Sequence, residues 1–252
     1  MLAVLALSVA AAGAGGSTRP TKAPGVLTVA IGLGNPGFAE GTVAHPKGFS
    51  VELGRAVAKR LGLRVRYIDY PFPRLFLPEV KPYDVAFQFV TILASRKRFV
   101  DFSVSYYASR QAVLVSPETP RPTSLADLRK LQLCGKEATT GLALIETELR
   151  PEPLVLQYPD TRSALRALAA GICDGFVFDL PALQAAKRGH PSRYGDLAGK
   201  FGPTENYGAV LPKGSKLRPA VDSALRALVR QGVPERIARR HFGSAAAVPV
   251  LR

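Results

Sequence analysis

The sequence is poor in the residue types on which many catalytic and metal sites depend. Its 252 residues include no tryptophan, one methionine, two cysteines and three histidines. His45 lies in a polar loop, His190 precedes Pro191, and His241 is on a predicted terminal helix, so their spacing forms neither a metal-ligand cluster nor a nucleophile–base pair. We therefore expect no enzyme, no metal and no cofactor.

Acidic residues are also scarce. The chain has 19 Asp and Glu but 34 Lys and Arg, which gives a formal net charge of +15. Such a charge suits proteins that bind nucleic acid or a membrane surface. Here the basic residues are spread over the whole chain, without a recognition motif or an aromatic platform beside them. We therefore expect no nucleic-acid partner and interpret the charge as a property of the whole surface.

The first fourteen residues, 1–14, are nearly all small or apolar, but they are too few to span a membrane. They end in Ala-Gly-Ala, which is typical of a secretory signal peptide, although the usual basic start is missing. The alternative is an apolar N-terminal segment of a cytosolic protein. Neither cysteine lies near this site, so a lipid anchor is not supported. We expect a soluble protein exported to the periplasm or the envelope exterior, with a linker at 15–24.

The rest of the chain alternates predicted strands and helices in two sets of the same kind. Each set runs strand, helix, strand, helix, strand, and Thr161 is the predicted N-cap of one helix of the second set. This order predicts an α/β protein with mainly parallel sheets flanked by helices. Extended runs near 110 and 208 connect the sets, so we expect two lobes with a ligand cleft between them. The predicted segments are lobe one at 25–112 and 208–243, lobe two at 113–207, and a flexible tail at 244–252.

One stretch of the first set ends in polar side chains. An apolar strand at 83–89 leads into a turn with Thr91 and Arg96, followed by Tyr106 and Tyr107. Open α/β sheets bind ligands at the carboxyl ends of their strands, and an arginine there can hold a carboxylate with two parallel hydrogen bonds. The alternative is that Arg96 only begins an exposed basic run.

Several short motifs follow one another along the chain at a characteristic spacing. They are Gly48 to Leu53 with Ala58 to Gly62, Tyr83 to Val85, Thr91 to Arg96, Val100 to Ser103 with Tyr106 and Tyr107, Ser124 to Leu128, Ala138 to Gly141, Cys173 to Asp179, and Tyr207 to Gly214. In this order they resemble the extracellular solute-binding proteins of the amino-acid type (family 3), the receptors of ABC importers. The resemblance covers nearly all of the chain after residue 24. It implies a type II periplasmic-binding-protein fold, with two lobes joined by two crossing strands.

The resemblance also implies a site for an amino acid. Arg96 matches the arginine that clamps the ligand's α-carboxylate, Thr91 lies beside it, and Asp179 matches the acid that pairs with the ammonium. The other implied ligand contacts are the backbone carbonyl of Phe89 and the helix start at Thr139, Thr140 and Gly141. A ligand held at both ends would be fully bound only when the cleft closes. The alternative for Asp179, Thr139 and Thr140 is a helix-capping role.

The sequence departs from the family where the ligand's side chain would be recognised. Gly32 replaces the usual acidic residue, and Asn35 lies near the place of a shielding aromatic residue. Lys136 matches a position that contacts polar side chains in some relatives, so it could favour an acidic ligand. A small apolar side chain against Leu33 and Phe38 is one alternative. A separate alternative is that Lys136 is only an exposed loop lysine.

Cys134 and Cys173 fit the same resemblance, which implies that their strands are parallel neighbours in the second lobe. Adjacent parallel strands about 5 Å apart can satisfy disulfide geometry, so we predict a bridge. The alternative is two buried free thiols.

The expected function is binding of a small solute with an α-carboxylate and an α-amino group, followed by delivery to an ABC permease through lobe closure. We expect the protein to act as a monomer. One alternative is an envelope receptor or sensor that acts without transport. A second is a dehydratase-like enzyme, because some dehydratases share this architecture.

Overall fold

Two long antiparallel strands form the centre of the molecule and belong to both halves of one eight-stranded sheet. The computed structural model describes residues 20–244 and 248–252, so the predicted signal peptide at 1–14 lies outside the described residues. The strands are β1 (Val26–Ile31), β2 (Glu40–Gly41), β3 (Pro46–Lys47), β4 (Arg64–Asp69), β5 (Val85–Thr91), β6 (Val100–Val115), β7 (Leu133–Lys136), β8 (Leu156–Tyr158), β9 (Gly175–Asp179) and β10 (Leu197–Pro212). The helices are α1 (Phe49–Leu61), α2 (Leu125–Arg129), α3 (Thr140–Leu144), α4 (Thr161–Ala169), α5 (Leu180–Gly189), α6 (Arg218–Arg230) and α7 (Val233–Phe242). Single 3-10 turns lie at Phe72–Phe76 and Arg96–Arg98, and a π-helical turn at Ile145–Leu149.

The sheet order β4-β1-β5-β10-β6-β9-β7-β8 divides the molecule into two lobes. In the first lobe β1 pairs in parallel with β4 and β5. In the second lobe β7 pairs in parallel with β8 and β9. The crossing strands β6 and β10 have 16 residues each and pair along most of their length. The predicted two-lobed type II fold is therefore confirmed.

Local sequence explains where the elements begin and end. Helix α1 buries Leu53, Val57 and Leu61, which are spaced so that they lie on one helix face. It ends at Gly62 with φ 67°, in the left-handed region that a residue without a Cβ adopts most easily. In α4 the N-cap is Asp160, whose side chain accepts a hydrogen bond from the Ser163 N–H, so the prediction of Thr161 as the cap is wrong.

The predicted disulfide is confirmed. Cys134 of β7 and Cys173, two residues before β9, are bonded with their Cα atoms 6.0 Å apart. The two strands are parallel neighbours, as expected. The bridge therefore ties together the strands that carry two polar residues of the cleft, Lys136 and Asp179.

Residues 248–252, which belong to the predicted flexible tail, pack against the second lobe. Leu251 is buried in the core of the second lobe, and its N–H donates to the Lys200 carbonyl at 2.9 Å. The Leu125 N–H donates to the Arg252 carbonyl at 3.0 Å. After α7, which belongs to the first lobe, the chain thus returns to the second lobe. In the part of the chain that the structure describes, every helix is too short or too polar to cross a lipid bilayer.

Candidate functional site

Four charged side chains are buried between the lobes. Arg96, Lys136, Asp179 and Glu205 each expose less than a tenth of their surface, at 9%, 5%, 5% and 7%. Arg96 follows β5, and Lys136 and Asp179 are the last residues of β7 and β9. These three therefore lie at strand ends, where open α/β sheets place their ligand contacts. Glu205 comes instead from the crossing strand β10.

Arg96 lies across the cleft rather than on the surface. Its Nη1 donates to the Thr91 carbonyl at 3.1 Å, and its Nη2 donates to the Ala138 carbonyl of the second lobe at 3.0 Å. Burial lowers the pKa of Arg96, while the nearby Glu205 and Asp179 oppose that change. Arg96 is therefore not part of an exposed basic run, whereas the two residues that follow it, Lys97 and Arg98, are exposed.

Asp179 is paired within the protein, although it faces the cleft. The Tyr207 hydroxyl donates to its Oδ1, and the Gln111 Nε2 lies 3.5 Å from the same oxygen. Burial, together with the negative charge of Glu205, raises the pKa of Asp179 to about 7, against the opposing effects of Tyr207 and Lys136. Asp179 occupies the N-cap position of α5, but its side chain makes no capping hydrogen bond there.

Glu205 is a site residue that the sequence did not predict. Its Oε2 accepts the Thr91 hydroxyl at 2.5 Å and the Thr140 hydroxyl at 2.9 Å, and its Oε1 accepts the Gln111 amide at 3.2 Å. A single acid on an extended run is ordinarily exposed, so no local signal marked it. The Thr91 hydroxyl, expected beside the ligand carboxylate, is bonded to Glu205.

The start of α3 has both a capping role and a position at the cleft. Thr139 is the N-cap, because its Oγ1 accepts from the Leu142 N–H at 3.3 Å. Gly141 lies against β6, where an added Cβ would come within 2.6 Å of the Gln111 Oε1. A larger residue would displace the amide that bonds to Glu205. The capping interpretation thus applies to Thr139, whereas Thr140 bonds to the cleft acid.

Two aromatic residues named in the sequence analysis, Phe89 and Phe38, pack against each other. Phe89 has φ 46°, a left-handed conformation that is strained for a bulky residue, and its ring stacks on Phe38 with the centroids 4.0 Å apart. Phe38 is fully buried and also packs on Phe49 and Phe242. Phe38, predicted as a possible wall of the side-chain pocket, thus lies in the hydrophobic core and outside the lining of the cavity described below.

We name the seven hydrogen-bonded residues of the cleft floor the inner cluster; they are Thr91, Arg96, Gln111, Thr140, Asp179, Glu205 and Tyr207. Beside it lies an outer cavity of about 460 Å³, whose wall includes Gly32, Leu33, Asn35, Phe72 and Lys136. At Gly32 an added Cβ would lie 2.9 Å from the Gln88 Oε1, so an acidic residue does not fit there without a rearrangement. The Asn35 Oδ1 accepts the hydroxyl of Thr161, in the second lobe, at 2.6 Å.

Lys136 is the buried cation of the outer cavity. Its Nζ lies 5.0 Å from the ring centroid of Phe72 and 5.8 Å from that of Phe178. Burial lowers the pKa of Lys136 to about 8, although Asp179 and Asp160 oppose the change. The lysine therefore remains mostly charged at pH 7. It is not the exposed loop residue of the alternative prediction.

Comparison with known proteins gives a consistent result. Residues 27–244 match the family described as bacterial extracellular solute-binding proteins, family 3. The chain is 26% identical to a probable histidine-binding protein of Neisseria gonorrhoeae, over 96% of this chain and 93% of the relative. It is 26% identical to the L-cystine-binding protein of Escherichia coli K12, over 91% and 87%.

A similar solved structure is an arginine-, lysine-, histidine-binding protein from Geobacillus stearothermophilus. Its TM-score is 0.76 at 25% identity, with 86% of this chain and 95% of that chain covered. All three proteins are named as binding proteins rather than enzymes.

Proposed function

The chain belongs to the bacterial extracellular solute-binding proteins of family 3, and from that premise we propose that it binds a free α-amino acid between its lobes and delivers it to an ABC importer. It is a binding protein rather than an enzyme, as its named relatives are. Export beyond the cytoplasmic membrane and action as a monomer are part of the proposal. An extracellular family supports export.

The observation that carries the proposal is a buried cation and a buried acid facing one cleft from opposite lobes. Arg96 follows β5 in the first lobe, and Asp179 ends β9 in the second. An amino acid has a carboxylate for the guanidinium and an ammonium for the acid. Because such a ligand contacts both lobes only when they are together, binding favours the closed cleft.

The ligand's side chain is argued from the outer cavity, because the named relatives bind different amino acids. The ring faces beside Lys136 stabilise a cation but offer it no lone pair. A carboxylate or an amide carbonyl on the ligand would supply one. We therefore propose an acidic or amide side chain. The small apolar alternative is weaker, because Phe38 does not line the cavity.

A thermal-shift screen of the twenty amino acids and small dicarboxylates tests the binding step. A ligand at a hundred times its dissociation constant adds about 2.7 kcal/mol to the free energy of unfolding. We expect the largest shifts with acidic or amide amino acids and smaller ones with their D-enantiomers. The proposed ligand class would be contradicted if no amino acid shifted the melting temperature while sugars or simple amines did.

Delivery requires a separate experiment in cells. Uptake of the labelled ligand should fall when the gene is removed and return when it is restored. Unchanged uptake, with binding intact in the purified protein, would favour an envelope receptor that acts without transport.

A further inference from the structure

Glu205 lies where the crossing strands depart from regular pairing. The pairing of β10 with β6 is in continuous register from Gly199 to Phe201 and resumes at Glu205, opposite Ser109, after a register shift. Irregular pairing of this kind redirects a side chain relative to a regular strand. Glu205 is thereby buried at the base of the cleft, between the two lobes.

The groups that donate to Glu205 come from both lobes. Thr91 is the last residue of β5 in the first lobe, and Thr140 is the first residue of α3 in the second. Both hydroxyls donate to the same carboxylate oxygen, and Gln111 of β6 donates to the other. One carboxylate in the hinge region is thus bonded to one side chain of each lobe.

The strength of this arrangement depends on the separation of the lobes. Hydrogen bonds from neutral donors to a carboxylate are roughly twice as strong as those between neutral groups. If the lobes part, Thr91 and Thr140 move away from each other, and a single oxygen cannot remain bonded to both. The closed cleft therefore contains at least one charge-assisted hydrogen bond that an open cleft loses.

We propose that Glu205 couples the two lobes from within the hinge and favours the closed cleft even when no solute is bound. The inference rests on the proposed function only in assuming that the lobes open and close. It assigns part of the closure energy to the protein itself rather than to the ligand.

The coupling also changes how the inner cluster receives a ligand. A hydroxyl has one proton, and those of Thr91 and Thr140 are directed to Glu205. Toward a solute these hydroxyls present lone pairs. A ligand carboxylate then depends on Arg96 and on backbone N–H groups, which makes Arg96 the main cation for that end.

The test measures the distance between the lobes in the ligand-free, full-length protein. Spin labels at Lys59→Cys in α1 and Lys130→Cys after α2 are on opposite lobes and at exposed positions, and the native cysteines are already paired. In Glu205→Ala we expect the open-to-closed ratio to rise about fivefold or more, as the loss of one such hydrogen bond implies. The exposed Glu118→Ala, also in the second lobe, is the matched control and should leave the ratio unchanged.

Thr140 provides a second variant that keeps the buried acid. Thr140→Val removes one donor at nearly constant volume and should also raise the open fraction, whereas Thr140→Ser should retain the wild-type ratio. The proposal is overturned if the ligand-free wild type is already fully open. It is equally overturned if folded Glu205→Ala and Thr140→Val both match the wild type. Because no ligand is added, these results do not depend on whether the proposed solute class is correct.

Discussion

The inner cluster and the outer cavity line the same cleft, but they satisfy their charges in different ways. In the inner cluster Glu205 and Asp179 accept hydrogen bonds from hydroxyl and amide groups of the protein. In the outer cavity Lys136 lies against two aromatic ring faces. The proposed function assigns the two regions different roles: recognition of the groups that all amino acids share to the inner cluster, and selection of the side chain to the outer cavity.

The largest expected effect comes from breaking the inner cluster at Arg96. Arg96→Ala leaves the ligand carboxylate without its cation, and we expect a loss of about 3 kcal/mol, or at least a hundredfold in affinity. Calorimetry should show this loss for every amino acid that binds, including glycine. Arg98→Ala, an exposed neighbour, is the control. Equal binding by Arg96→Ala and the wild type would exclude Arg96 from the site.

The next effect separates the two regions. Lys136→Met keeps an unbranched side chain, one atom shorter, and removes its charge. Affinity for an acidic or amide ligand should therefore fall about thirtyfold, the range of a charged hydrogen bond. Glycine, which has no side chain to reach the cavity, should bind equally well before and after the change. The exposed Lys130→Met should have no effect. A parallel loss of glycine binding would mean that Lys136 belongs to the inner cluster.

A pH titration tests the inner cluster without a mutation. Because the pKa of Asp179 is about 7, its carboxyl is mostly protonated below that pH and must lose the proton to pair with an ammonium. Affinity for glycine, which does not reach Lys136, should therefore level off above about pH 7 and fall about tenfold per unit below it. Asp179→Asn should bind more weakly and without this dependence. A wild-type profile that is flat between pH 5 and pH 8, by contrast, would assign the ammonium to another group.

The same carboxyl also affects the stability of the ligand-free protein. In the unfolded chain it loses its proton near 3.8, whereas in the folded protein it keeps the proton to about 7. The folded state therefore binds more protons in this window, and the contribution of Asp179 to stability decreases as the pH rises through it. Thermal melts of the wild type and Asp179→Asn should diverge across this range and run parallel outside it.

The smallest expected effect is at the rim of the outer cavity. Asn35→Ala removes one hydrogen bond between the lobes, the one that Thr161 donates, and should cost about 1 kcal/mol, or roughly fivefold in affinity. Because the bond joins the lobes and does not touch a particular side chain, all ligands should lose affinity equally. Thr161→Val should give the same loss. A change confined to one ligand would indicate direct contact between that ligand and Asn35.

The fold and much of the inner cluster could be predicted from the sequence, because both are marked by short local motifs that follow one another in the order typical of the family. Hydrophobic periodicity and a terminal glycine located α1, and the resemblance identified Arg96 and Asp179. Arg96, predicted to lie at a strand end facing a cleft, is buried there in the structure.

The features that the sequence did not predict depend on tertiary contacts. Glu205 is buried because three donors from different elements surround it, and no neighbouring residue in the chain signals this. Phe38 packs into the core because Phe89 stacks on it, which a pattern of single residues does not reveal. In the tail, Leu251 is an isolated apolar residue whose contacts lie about fifty residues away in sequence, at Lys200.

The docked tail has a mechanical consequence. Near one end of the described chain the Lys22 N–H donates to Asp84 of the first lobe, and at the other end Arg252 is bonded to Leu125 of the second. A pulling force applied at these two residues would act across the cleft before it loads either core. In a single-molecule extension experiment, opening of the cleft should therefore appear as a small step that precedes unfolding. The force needed for that step would measure directly how strongly a bound solute holds the lobes together.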